Sequence, residues 1–82
     1  MLFVFDSNQK QIFWMKNTLI PLDIVWLDEN LKIIGIIYDL KPCTKDQCQL
    51  YMSPEPVKYV LEVSSGFAKN MALSNGQQLI LN

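Results

Sequence analysis

Histidine and arginine are absent from this chain of 82 residues: its seven basic residues are all lysines, set against eight carboxylates for a net charge of -1. The missing imidazole removes the usual general base at neutral pH, and with it most catalytic triads and most zinc sites. Without arginine or clustered positive charge, nucleic acid is not an expected partner, because phosphate tracking needs grouped cations and base readout leans on guanidinium. Long apolar runs are also missing. Pro21, Asp23 and Asp39 interrupt the longest of them, well short of the roughly 20 residues a membrane helix needs. The opening MLFVF carries neither a basic leader nor a small-residue cleavage site, so no targeting signal is read in this chain. Linkers and repeats are lacking too, which excludes disordered and solenoid classes.

What remains is strongly apolar. Half the residues are hydrophobic, enough for one dense core, and residues 1–82 read as a single domain, an N-terminally shortened one on the family resemblance given below. LFVF (2–5) is a short strand and DSNQK after it is turn chemistry. QIFWMKN (11–17) reads as a second strand, with Ile12, Trp14, Lys16 and Thr18 on one face and Phe13, Met15 and Asn17 on the other. LDIVWLD (22–28) and KIIGIIYD (32–39) are apolar on both faces, as in strands buried on two sides, and DENL between them suits a hairpin with Asn30 in the left-handed region. Gly35 marks a bulge or a close backbone approach.

Residues 40–57, with Pro42, Pro54 and Pro56, form a stiffened loop. YVLEV (59–63) is a strand, SSGFAKNMAL a short helix capped by Ser64 or Ser65, Asn75-Gly76 a turn, and QQLIL (77–81) a closing strand. One short helix cannot support parallel winding. The predicted class is α+β, mainly β: a small antiparallel sheet or open barrel with one covering helix.

Lys16, Asn17, Asp23 and Glu62 are polar residues set within apolar strands, where a charge costs several kcal/mol unless it is paired. Two arrangements offset that cost. One is an ion pair of Lys16 with Asp23 or Glu62. The other is a ligand cleft holding Lys16, Asn17, Thr18, Asp23 and Glu62, with Trp14 or Tyr59 as an apolar wall; Lys16 and Asn17 share it only if the strand ends or bulges between them. A third use of the acids is catalytic, with Asp23 and Glu62 dividing acid and base roles in a glycoside-type hydrolase or lyase. Cys43 and Cys48 fit a local disulfide better than a redox pair, and a disulfide implies an oxidising, extracytoplasmic compartment; zinc would need two further ligands from a partner. No cofactor is expected.

The run Trp14-Met15-Lys16-Asn17-Thr18, then Pro21-Leu22-Asp23, then Pro42-Cys43 with Cys48, and finally Tyr59-Val60-Leu61-Glu62 with Gly66 downstream, resembles the family known as domain of unknown function 192. The resemblance extends from Met1 to the last strand. It implies a small β-rich domain of a kind often exported or membrane-attached, and no assigned activity. Members of that family usually carry about one strand and one helix ahead of the segment matching MLFVF. Their absence implies a shortened form or a gap filled by a neighbouring chain, and hence a homo-oligomer through the N-terminal side. Together these readings predict a non-enzymatic module that binds a small polar or carbohydrate-like ligand or a protein partner through residues 14–23 and the 40–57 loop. The alternatives are the hydrolase or lyase and a purely structural or association module.

Overall fold

Residues Leu22–Leu27 form a strand buried along its whole length, as apolarity on both faces requires. The computed structural model describes residues 1–80 and places this segment third among seven elements: β1 (Leu2–Gln9), β2 (Ile12–Phe13), β3 (Leu22–Leu27), β4 (Ile33–Leu40), β5 (Tyr51–Met52), β6 (Val57–Ser64) and α1 (Phe67–Asn70). Four strands make one antiparallel sheet in the order β1-β6-β3-β4, and β2 and β5 make a second, two-stranded ribbon. Neither sheet closes on itself, and the class is α+β with strands dominant.

Alternation along β3 builds two half-cores. Ile24, Trp26 and Leu22 face a cluster with Met15, Leu40, Val57 and Val60, roofed by Phe5, Phe13 and Tyr51. Val25 and Leu27 face the other way, onto Ile33, Leu61, Leu73 and Leu79. Burying each such aliphatic side chain contributes about 1.5–3 kcal/mol, so β3 anchors both layers at once. The ribbon and its flanking loops cover the first face, while α1, whose Ala68 is fully buried, packs on β3 and β6.

Several local expectations are corrected by pairing. DSNQ is not a turn: it continues β1 to Gln9, because β6 goes on offering a ladder past a register shift between Val4 and Gln9. The second strand is only Ile12–Phe13. Beyond it Lys16 bridges Cys43 in parallel, and Asn17 turns the chain at φ 63° with the Thr18 N–H donating to the Met15 carbonyl. The left-handed hairpin residue is Leu31 (φ 64°), not Asn30. Asp28 Oδ1 accepts the N–H of Asn30 and of Lys32, which holds a turn that passes the left-handed position one residue on. The long loop contains β5, and β6 starts early, at Val57. The helix spans four residues rather than ten, and its N-cap is Gly66 at φ 95° rather than a serine. Asn75-Gly76 does turn the chain, but the closing strand is reduced to a bridge between Lys32 and Gln78; its Leu81 lies outside the described residues.

Candidate ligand cleft

Where the ribbon leans over the first sheet face, a cleft of about 340 Å³ opens between Phe3 and Phe5 of β1, Val60 and Glu62 of β6, Trp26 of β3, and the segment from Gln11 to Thr18. Its position follows from strand parity. Phe3, Val60 and Trp26 lie side by side across three strands, and Glu62 is the next residue of β6 on that face. Aromatic walls and a few polar groups in a concavity of this size are what a small-molecule site consists of.

The cleft brings together four of the expected residues: Trp14, Lys16, Thr18 and Glu62. Lys16 Nζ donates to the Asp46 carbonyl at 3.3 Å and sits 5.7 Å from the Trp14 ring centroid, which fixes a cation against the wall. Burial pushes the Glu62 carboxyl above its ordinary value of 4.5. The other three are elsewhere. Asn17 points outward from its left-handed turn, and Tyr59 packs on the second half-core opposite Leu27.

Asp23 corrects the ion-pair expectation. It is buried on the opposite sheet face to Glu62, because Asp23 pairs with Val63 while Ile24 pairs with Glu62. The same parity prevents Asp23 and Glu62 from flanking one substrate bond, so they cannot divide acid and base roles. The Asp23 carboxylate is satisfied by backbone instead: Oδ1 accepts the Asp39 N–H at 2.9 Å, and Oδ2 accepts the Gly66 and Ala68 N–H groups, each at 3.0 Å. It therefore supplies the helix cap that no neighbouring side chain provides. Among the described residues the ion pair that does form is Lys41–Asp39, an exposed one, with Ser65 Oγ also donating to Asp39; the Ser65 hydrogen bond and then Lys41 hold the Asp39 carboxyl below its ordinary range.

Cys43 and Cys48 are joined in a disulfide. The ring it closes carries Asp46, the acceptor for Lys16, and the Cys43 N–H donates to the Met15 carbonyl. A second concavity of about 300 Å³ lies under this loop, lined by Met15, Cys43 and Tyr51.

A family model described as "Uncharacterized ACR", DUF192, matches residues 1–81. The chain belongs to the DUF192 family. Two solved structures share its fold. One, a candidate transcription regulator from Sinorhizobium meliloti 1021, is 36% identical with a TM-score of 0.85, covering 93% of this chain and 57% of its own. The other, a protein of unknown function from Novosphingobium aromaticivorans DSM 12444, is 28% identical with a TM-score of 0.83, covering 93% of this chain and 52% of its own. The chain thus spans little more than half the length of each. No curated protein matches it.

Within this DUF192 cleft, Gln11 is a lining residue that sequence reasoning overlooked. The signal was available: Gln11 extends the inward row of Phe13 and Met15, so a polar side chain there faces the interior. Glu62 offers a direct check on the cleft's dryness. Its raised pKa means that the folded state holds the proton more tightly than the unfolded chain. Stability is thus lost as pH rises from about 4.5 through the folded value. Glu62→Gln removes that loss. It is expected to melt above the wild type at pH 7, with the difference vanishing below pH 4.5; an equal difference at both ends of a pH-resolved melting series would contradict the assignment.

Proposed function

We propose that residues 1–82 act as one non-enzymatic, extracytoplasmic binding unit that takes a small polar, carbohydrate-like ligand in the cleft between Trp14 and Glu62. The observation that carries this reading is the convergence of Trp14, Lys16 and Thr18 from one segment and Glu62 from β6 on one aromatic-walled concavity. Aromatic faces suit the apolar face of a sugar ring, and the lysine, threonine and carboxylate supply both donors and acceptors for hydroxyls. The Cys43–Cys48 disulfide favours an oxidising compartment, and no helix among the described residues is long and apolar enough to cross a membrane. The transcription-regulator description belongs to the Sinorhizobium protein; here the lack of arginine and the net charge of -1 weigh against a DNA-binding role.

Titration with a panel of monosaccharides and cyclic polyols, followed by tryptophan emission, tests this. Lys16→Ala and Trp14→Ala are expected to weaken the response about tenfold or more, with stability within about 1 kcal/mol of wild type, because Lys16 has no buried carboxylate to strand and Trp14 is half exposed. A flat response to the whole panel would overturn the reading. So would superposition on the Sinorhizobium structure if residues outside the matched part of that chain fill the equivalent cleft.

A second reading rests on β1, an edge strand of eight residues on which Val4 and Phe3 are exposed. An unpaired edge of this length is a template for strand addition, and association through it would make the unit a homo-oligomer. Sedimentation at several concentrations distinguishes the two, since Val4→Lys should dissociate an edge-paired dimer and leave ligand binding intact.

A further inference from the structure

The cation of the cleft is held by a loop that a covalent bond closes. Lys16 Nζ donates to the Asp46 carbonyl at 3.3 Å and lies 5.7 Å from the Trp14 ring centroid, so its place at the wall depends on where Asp46 is. Asp46 sits inside the ring made by the Cys43–Cys48 disulfide. Thr44 to Gln47 are exposed, and among the described residues no backbone–backbone hydrogen bond ties residues 44–50 to the rest of the chain. The ends of the loop are fixed by other means: the Cys43 N–H donates to the Met15 carbonyl, Lys16 and Cys43 form a backbone bridge, and Tyr51 pairs with Phe13 in the ribbon.

Opening the ring therefore acts locally. Neither core cluster contains any of residues 44–48, and a bridge between cysteines 5 apart in sequence stabilises a fold less than one across a long loop. What reduction removes is the constraint that presents the Asp46 carbonyl to Lys16, while the backbone of Lys16 and of Cys43 stays anchored. Resting on the cleft reading above, we infer that the Cys43–Cys48 disulfide arms the cleft: its formation sets the Asp46 carbonyl against Lys16, and its reduction frees the lysine and weakens ligand uptake. Full affinity then belongs to the chain in an oxidising compartment. In the forming step a thiolate of the pair attacks one sulfur of a disulfide oxidant, and the second cysteine displaces the mixed disulfide; two electrons and two protons pass to the oxidant, which leaves as its dithiol.

Light acetylation of the full chain before and after a phosphine reductant, read peptide by peptide by mass spectrometry, tests the arming step without a ligand. The chain has two cysteines, so the reductant acts through this bond. Lys16 labelling relative to the exposed Lys10 is expected to rise about fivefold on reduction, the factor one hydrogen bond of ordinary net strength supports, and to fall back on reoxidation. The double variant Cys43→Ser with Cys48→Ser should label like the reduced wild type and ignore the reductant. Equal Lys16 labelling in the two states overturns the inference and leaves the cleft reading standing. So does a loss of cooperative melting on reduction, which would make the bond a support of the whole fold. With the monosaccharide and cyclic polyol panel, wild-type affinity should drop about fivefold on reduction while that of Lys16→Ala does not move. A Lys16→Ala variant with the same redox response would show that reduction reaches the ligand by another route, and the inference falls. A panel that the oxidised chain does not bind overturns the cleft reading, while the labelling still decides, in either direction, whether the disulfide places Lys16.

Discussion

Asp23→Ala is expected to lose about 4 kcal/mol of stability, since a buried donor stripped of a charged acceptor costs roughly 1–3 kcal/mol and three donors are affected, that of Ala68 buried and those of Asp39 and Gly66 part-buried. The three N–H groups belong to the end of β4, to Gly66 and to the first turn of α1, so one carboxylate ties together two ends of the sheet and the helix. Against a total of about 5–15 kcal/mol for a typical domain, a loss of this size leaves little margin. Asp23→Asn keeps one oxygen and should lose less, about 2 kcal/mol, because the amide turns a donor toward donors. Urea unfolding of both variants checks the order. A loss under about 1 kcal/mol for the alanine variant would mean that the buried N–H groups find other acceptors. Lys16→Ala should do nothing comparable, which separates the Asp23 node from the cleft on the other face.

Gly35→Val is the second large effect expected, a loss of about 2–3 kcal/mol from overpacking. Gly35 lies opposite Trp26 in the β3–β4 ladder. A Cβ there would meet Pro54 Cγ at 3.2 Å and Trp26 Cδ1 at 3.3 Å, and both are held, one by a pyrrolidine ring and one by a fully buried indole. Gly35→Ala should cost less than the valine, which adds two γ methyls to a Cβ already in tight contact. Because Trp26 lines the cleft, a shift of its ring should also change tryptophan emission and ligand response in the folded fraction. A valine variant as stable as wild type would show that the 53–56 segment lifts away freely.

Much of this architecture is written in local patterns. The two-sided burial of β3, the hairpin into β4, the glycine of close approach, the disulfide and the neighbourhood of Trp14, Lys16 and Thr18 follow from alternation, turn chemistry and cysteine spacing, which act over a few residues. Family membership follows from the motif run between Trp14 and Asp23 with its later companions, and the match over residues 1–81 agrees with it. Gln11 was legible in principle, as an inward polar residue beside Phe13 and Met15, but alternation alone does not say whether such a group finds a partner.

Long-range register settled the rest. Asp23 takes its hydrogen bonds from residues 16, 43 and 45 positions away, and nothing near it in the chain announces them. Whether Asp23 and Glu62 meet depends on the parity with which β3 and β6 pair: a slip of one residue would have put both carboxylates on the same face. Likewise β2 is short because its partner is the two-residue β5 from a distant loop, and α1 takes its N-terminal cap from Asp23 of β3 rather than from its own segment. Period-two patterning prescribes which residues of a strand share a side, but only the assembled sheet prescribes which strand lies alongside and in what register.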